Sequence, residues 1–107
     1  GRFITAEQIE RWGYVHVVDA LRATPNLEVV YVAGGARARL RHPVSLLSHC
    51  WTNVYLNGMR VDWESIQGFS PADIEGIEVY THGDAPAEFN SSMGAACGVV
   101  VIWTKAR

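Results

Sequence analysis

Arg37, Arg39 and Arg41 alternate with Ala38 and Leu40, and in an extended backbone alternate side chains share one face. The three guanidinium groups would then line one edge and could take an anionic ligand, lipid head groups or an acidic protein surface. A solvated loop, or an edge strand guarded by charge, gives the same pattern. No phosphate-cradling glycine loop accompanies the row. Trp51 and Trp63 flank a predicted turn. They are expected to join the arginines in a partner-binding surface, because aromatic and arginine side chains supply most of the energy of such contacts, with burial in the core as the default alternative. Trp103 is expected in or beside a core strand.

Cys97, close to Gly94 and Gly98, could act as a nucleophile only with a histidine base held by a third group. His16, His42, His49 and His82 show no such arrangement, and no pair of them has the i, i+4 spacing of a helical zinc site. Asp62 and Glu64, on either side of Trp63, read as solvated carboxylates. These residues predict a binding module without catalytic centre, metal or cofactor. A small hydrolase or metal protein would need convergent groups that the sequence does not supply.

The elements that must position these residues follow from local signals. Thr5-Ala6-Glu7-Gln8 has the form of a capping box and starts a short helix, which Gly13 interrupts. A second helical stretch is predicted from Tyr14 to Ala23, closed by Thr24-Pro25-Asn26. Leu27 to Val32 reads as a strand. Asn53 to Leu56 reads as a half-buried strand entering a tight turn at Asn57-Gly58, with Val54 and Leu56 facing inward. Ser70-Pro71-Ala72-Asp73 begins another helix, and Gly76 to Thr81 forms a strand. Val99 to Thr104 suits a central strand covered on both faces. Ala33 to Ser48 and His82 to Ala96 show no sustained period and are expected as loops. The class is α+β or α/β with one small sheet.

Cys50 lies three residues before one of these strands and Cys97 two before another. If the two strands are parallel neighbours, both sulfurs sit at one sheet edge and a disulfide fits; two buried free thiols are the alternative. The chain of 107 residues, 49% of them apolar, with a formal charge of -2, is the size of a single domain and carries no bulk basic charge for nucleic acid. Its longest apolar run, Val99 to Trp103, is far short of the roughly twenty residues of a spanning helix. It opens Gly1-Arg2-Phe3 without an initiator Met or signal peptide, as a processed form or an excised domain would.

Four blocks in order carry a resemblance: Asp19-Ala20-Leu21-Arg22-Ala23-Thr24-Pro25-Asn26-Leu27-Glu28-Val29, Val54-Tyr55-Leu56-Asn57-Gly58, Ser70 to Val79, and Gly98 to Lys105. The chain resembles the plug domain of TonB-dependent outer-membrane receptors over about Asp19 to Lys105. Asn57 stands where the family usually has Asp, Asn26 replaces a usual Gly, Asp84 a Pro, and Phe89-Asn90 a Tyr-Gly pair. Arg41-His42 occupies the approximate place of an arginine-glycine element.

The resemblance implies an α+β fold with a small mixed sheet of about four strands and two to three short helices. It implies one plug-like domain over 1–107, with a helical lead-in over 1–18 and a plug-like core over 19–105. It also implies a periplasmic, oxidising setting, in which Cys50 and Cys97 would form a disulfide that stabilises the fold by about 4 kcal/mol in the chain-entropy model. These 107 residues show neither a barrel nor a TonB-interacting segment, so the expected function is a non-enzymatic accessory subunit. Its partner would be a protein in a membrane or envelope complex, bound through Arg37, Arg39, Arg41, Trp51 and Trp63, with no nucleic acid, no transmembrane segment of its own and no assigned small molecule. The alternative is the plug of a transporter, gating uptake of a siderophore, cobalamin or glycan.

Overall fold

A computed structural model describes residues 2–33, 35–41, 51–81, 85–89 and 97–105. The chain opens with a strand, β1 (Arg2–Thr5), and runs directly into helix α1 (Ala6–Trp12). Thr5 caps that helix as its sequence predicts: the Gln8 N–H donates to Thr5 Oγ1 at 3.2 Å and the Thr5 N–H to Gln8 Oε1 at 2.9 Å. Gly13 ends it in the left-handed region, at φ 67°. The next helical stretch is a 3₁₀ helix, Val17–Ala23, shorter than expected. Its buried residues Val17 and Ala20, and Val18 and Leu21, are spaced by three, the repeat at which 3₁₀ side chains align.

Five strands form the main sheet, in the order β1, β6 (Ile74–Tyr80), β7 (Val99–Thr104), β4 (Asn53–Leu56), β5 (Met59–Val61). All neighbours are antiparallel except β4 and β7, which run parallel with Asn53 opposite Val99 and Leu56 opposite Ile102. Asn57 (φ 52°) and Gly58 (φ 90°) join β4 to β5, both in the positive-φ region that a two-residue hairpin of this twist requires. A separate antiparallel pair joins β2 (Leu27–Val32) and β3 (Gly35–Leu40).

β7 is buried on both sides, as its unbroken apolar run predicts. Val100 and Ile102 join Val54, Ile77 and Val79 in the main core, beside Ile4, Ile9, Leu21 and Ile66. Val99 and Val101 pack on the other face with Tyr55, Tyr80 and Phe89.

The sheet is larger than the four strands expected. β1 makes the first residues part of the main sheet rather than a purely helical lead-in. β3 is a strand where a loop was expected, because its alternating Ala36, Ala38 and Leu40 are buried beneath the hairpin. β4 is buried at Tyr55 as well as Val54, since the Phe89 ring lies against Tyr55 at 4.8 Å between centroids. The Ser70 helix is a single 3₁₀ turn, Pro71–Asp73, capped as predicted and leading straight into β6. Within the second expected loop, Ala87–Phe89 forms a 3₁₀ turn that buries Phe89. Residues 42–50, 82–84 and 90–96 lie outside the described part.

Candidate functional site

Arg37 and Arg39 project from the same side of β3, as their alternation predicts, and Trp51 lies against both. The guanidinium carbons stand 5.8 and 5.7 Å from the indole centroid. Trp51 is held there by an isolated antiparallel bridge to Arg39, and the next residue, Thr52, donates its N–H to the Ala38 carbonyl at 3.0 Å. Each guanidinium also meets a carboxylate. Arg37 Nη2 donates to Glu64 Oε1 at 2.8 Å, and Arg39 pairs with Glu28, its cross-strand neighbour. Arg37 and Arg39 are therefore ion-paired and stacked on one ring rather than forming a bare cationic strip.

Arg41 stands just beyond the end of β3, exposed, and joins the hairpin through its backbone N–H, which donates to the Asn26 carbonyl at 2.9 Å. Trp63 departs from the expected contact surface. It is only 5% exposed, part of the main core, and its Nε1–H donates to the Thr52 carbonyl at 3.0 Å. A buried indole needs such an acceptor, and the contact makes Trp63 a support beneath Trp51 rather than a surface residue.

Between these elements lies a cleft of about 510 Å3 bounded by Arg37, Trp51, Asn53, Arg60, Asp62 and Glu64. Arg60 Nη2 donates to Asn53 Oδ1 at 2.8 Å. Arg37 Nε is buried and, among the described residues, has no hydrogen-bond partner. The cleft sets arginine, carboxylate and amide groups beside an aromatic wall, a chemistry suited to holding a polar group.

Gln67 has no signal in the sequence, yet it fastens the hairpin to the body. Its Oε1 accepts the Ala36 N–H and its Nε2 donates to the carbonyls of Ala36 and Trp63. A second fastening joins the 3₁₀ helix to β2: Asp19 accepts from the Tyr31 hydroxyl at 2.8 Å and from Arg22 Nε at 3.2 Å. Burial works against the charge of Asp19, but these two partners outweigh it and hold the carboxyl below its ordinary value.

Cys97 is 4% exposed and directly precedes Gly98, whose carbonyl accepts the Asn53 N–H at 3.0 Å. β4 and β7 are thus the parallel neighbours that the cysteine spacing requires, while Cys50 lies outside the described residues. His16 is exposed, and His42, His49 and His82 lie outside the described residues. Among the described residues no group of His, Cys, Asp and Glu could hold a metal ion, and no helix is long and apolar enough to cross a membrane.

The architecture is found in a solved peptide importer and in solved siderophore receptors. It superposes on part of the RagAB peptide importer with a TM-score of 0.73 and 22% identity, covering 97% of this chain and 12% of that one. The siderophore receptor PirA from Acinetobacter baumannii gives a TM-score of 0.72 and 21% identity over 98% of this chain and 17% of the receptor. PirA from Pseudomonas aeruginosa gives 0.65 and 26%, over 98% and 18%. The chain thus spans less than a fifth of the length of these structures. No curated protein sequence matches it. The family model described as TonB-dependent Receptor Plug Domain matches residues 2–99, a span that holds every strand described above up to the first residue of β7: the chain belongs to the TonB-dependent receptor plug domain family.

Proposed function

We propose that this domain is the non-enzymatic plug of an outer-membrane receptor, seated inside a surrounding β-barrel and gating uptake through it. One observation carries the reading: nearly the whole chain matches a fold that makes up only 12 to 18% of the receptors it resembles. Those structures are a peptide importer and siderophore receptors, so peptides and siderophores are the cargo classes to screen first, with cobalamin and glycans after them.

The docking surface is the hairpin edge that carries Arg37, Arg39 and Trp51, with Arg41 beside it and Trp63 bracing it from within. The oxidising side of the envelope is the setting, with Cys50 and Cys97 joined. That pairing is supported by the parallel β4 and β7 and by the burial of Cys97, and no described cysteine is a free thiol. An accessory subunit on an envelope complex would use the same surface without a barrel in the same polypeptide.

Fractionation of the producing cells tests the reading. An antibody raised against this domain should detect an outer-membrane polypeptide far larger than 11.8 kDa, whose gel mobility changes on heating as barrel proteins do. A band of the domain's own mass that follows the outer membrane would select the accessory subunit. The same band free of membranes would overturn both.

A further inference from the structure

The side of the main sheet away from the larger core is covered over only part of its width. Tyr55, Tyr80, Val99 and Val101 lie beneath Phe89 and Ala85, but Phe3 on β1 is 63% exposed and Trp103 on β7 is 36% exposed. Phe3 lies opposite Glu78, Thr5 opposite Gly76, and Gly76 opposite Trp103. Side chains alternate along a strand, so these five positions share the open side.

Gly76 contributes no side chain there, and a hollow of about 410 Å3 remains, with Phe3, Trp103 and Glu78 among the residues that line it. The Glu78 carboxylate accepts hydrogen bonds from the Trp103 indole N–H and the Tyr80 hydroxyl. Both donors are neutral, so they aim the carboxylate without cancelling its charge. Glu7 and Glu75 line the same hollow, and no lysine or arginine does. The ion pairs among the described residues use Asp19, Glu28 and Glu64, so Glu7, Glu75 and Glu78 meet no cation among the described residues.

We propose that this hollow receives one basic side chain, a lysine or arginine carried by the protein that surrounds the domain. Aromatic faces attract a cation through their quadrupole, and an oriented carboxylate adds a charge-assisted hydrogen bond. The aliphatic stem of the same side chain fits over Gly76 between the two rings. An acidic side chain meets three like charges, and a neutral one gains only the apolar contact. The source of the basic group rests on the reading of the domain as docked in a larger outer-membrane protein; the chemistry of the hollow does not.

The test is a titration of the 15N-labelled 107-residue chain with the capped tripeptides acetyl-Gly-Lys-Gly-amide and acetyl-Gly-Arg-Gly-amide, with the norleucine peptide as the neutral control. Both basic peptides should shift the Trp103 indole N–H resonance saturably, the norleucine peptide should not, and added salt should weaken the effect. Glu78→Gln and Phe3→Ala should each lower the affinity by about tenfold. Gly76→Leu should abolish the shift by filling the hollow; a Cβ at this position meets nothing closer than the Ile4 carbonyl oxygen at 3.4 Å. Should that variant fail to fold, the Glu78 and Phe3 variants decide. An unmoved Trp103 resonance, or an equal shift with norleucine, overturns the proposal. Peptide binding by a chain that fractionates away from membranes would keep this site and remove the plug reading, and the converse result would do the reverse.

Discussion

The side-chain amide of Gln67 pairs with Ala36 as a neighbouring strand would, accepting its N–H at 3.2 Å and donating to its carbonyl at 2.8 Å. Gly35, at φ 117°, leaves the room for it: a Cβ there would lie 2.5 Å from Gln67 Cδ. One side chain and one absent side chain thus join the small hairpin to the main body.

Gln67→Ala should therefore cost about 1–3 kcal/mol, since it strips partners from a half-buried backbone pair. Urea denaturation measures the loss, and hydrogen exchange should show the Ala36 amide opening faster than amides of β7. Gly35→Ala should cost more, because it adds a strained φ to the clash. A Gln67→Ala chain with unchanged midpoint and unchanged Ala36 protection would contradict this account.

Arg39 and Glu28 offer a way to separate stability from docking. Arg39→Glu places like charges opposite one another on adjacent strands and should cost no more than about 1 kcal/mol, as the pair is largely solvated. The double variant Glu28→Arg with Arg39→Glu restores the pair and should restore the urea midpoint. If the hairpin edge is a docking surface, the double variant still reverses its charge pattern, so retention of the domain by its outer-membrane partner should remain impaired. Normal retention in both variants would remove Arg39 from that surface.

Asp19 sets a direction for acid sensitivity. Its carboxyl lies lower in the folded chain than its ordinary value of 3.8, because the bonds from Tyr31 and Arg22 outweigh the opposing effect of burial. A carboxyl depressed by folding stabilises fully above its unfolded pKa, and that stability is lost as the pH falls through the folded pKa. The difference in urea midpoint between the native chain and Asp19→Asn should be constant near neutrality and shrink below about pH 4. A difference that grows on acidification would reverse the assignment.

Cys50 and Cys97 give the most direct chemical readout. A thiol assay on denatured, unreduced chain should find no free thiol, and reduction should lower stability by up to about 4 kcal/mol. Two thiols in the unreduced sample would rule the bridge out.

Local signals were legible wherever a residue acts within its own few neighbours. Thr5 with Gln8, Ser70 with Asp73, and Asn57-Gly58 each do in the structure what their types and spacing predict. The apolar run of β7 announced a strand buried on both sides. The parallel pairing of β4 and β7, which the cysteine reading took as its condition, came only from the structure. What escaped was decided by distant partners. β1 has a single buried residue, Ile4, and becomes a strand only because β6 lies beside it. β3 is built on alanines and arginines, poor strand formers alone, and is held by β2 and Gln67. Trp63 read as a surface residue because its turn is local, whereas the carbonyl that accepts its N–H belongs to Thr52, eleven positions away. At the arginine row, alternation gave the shared side correctly but could not reveal that Glu28 and Glu64 answer the charges.

β7 lies at the centre of the main sheet and is the last of the described strands to be synthesised. Until Val99 to Thr104 has emerged, β4 and β6 have no common neighbour, and Val54, Ile77 and Val79 stay uncovered. Pairings between segments so far apart in sequence form slowly. A chain in which this segment has not yet paired therefore leaves its future core open to water, a state prone to aggregation. The two halves of the main sheet are joined only through this one strand, the last of the described ones that the chain delivers.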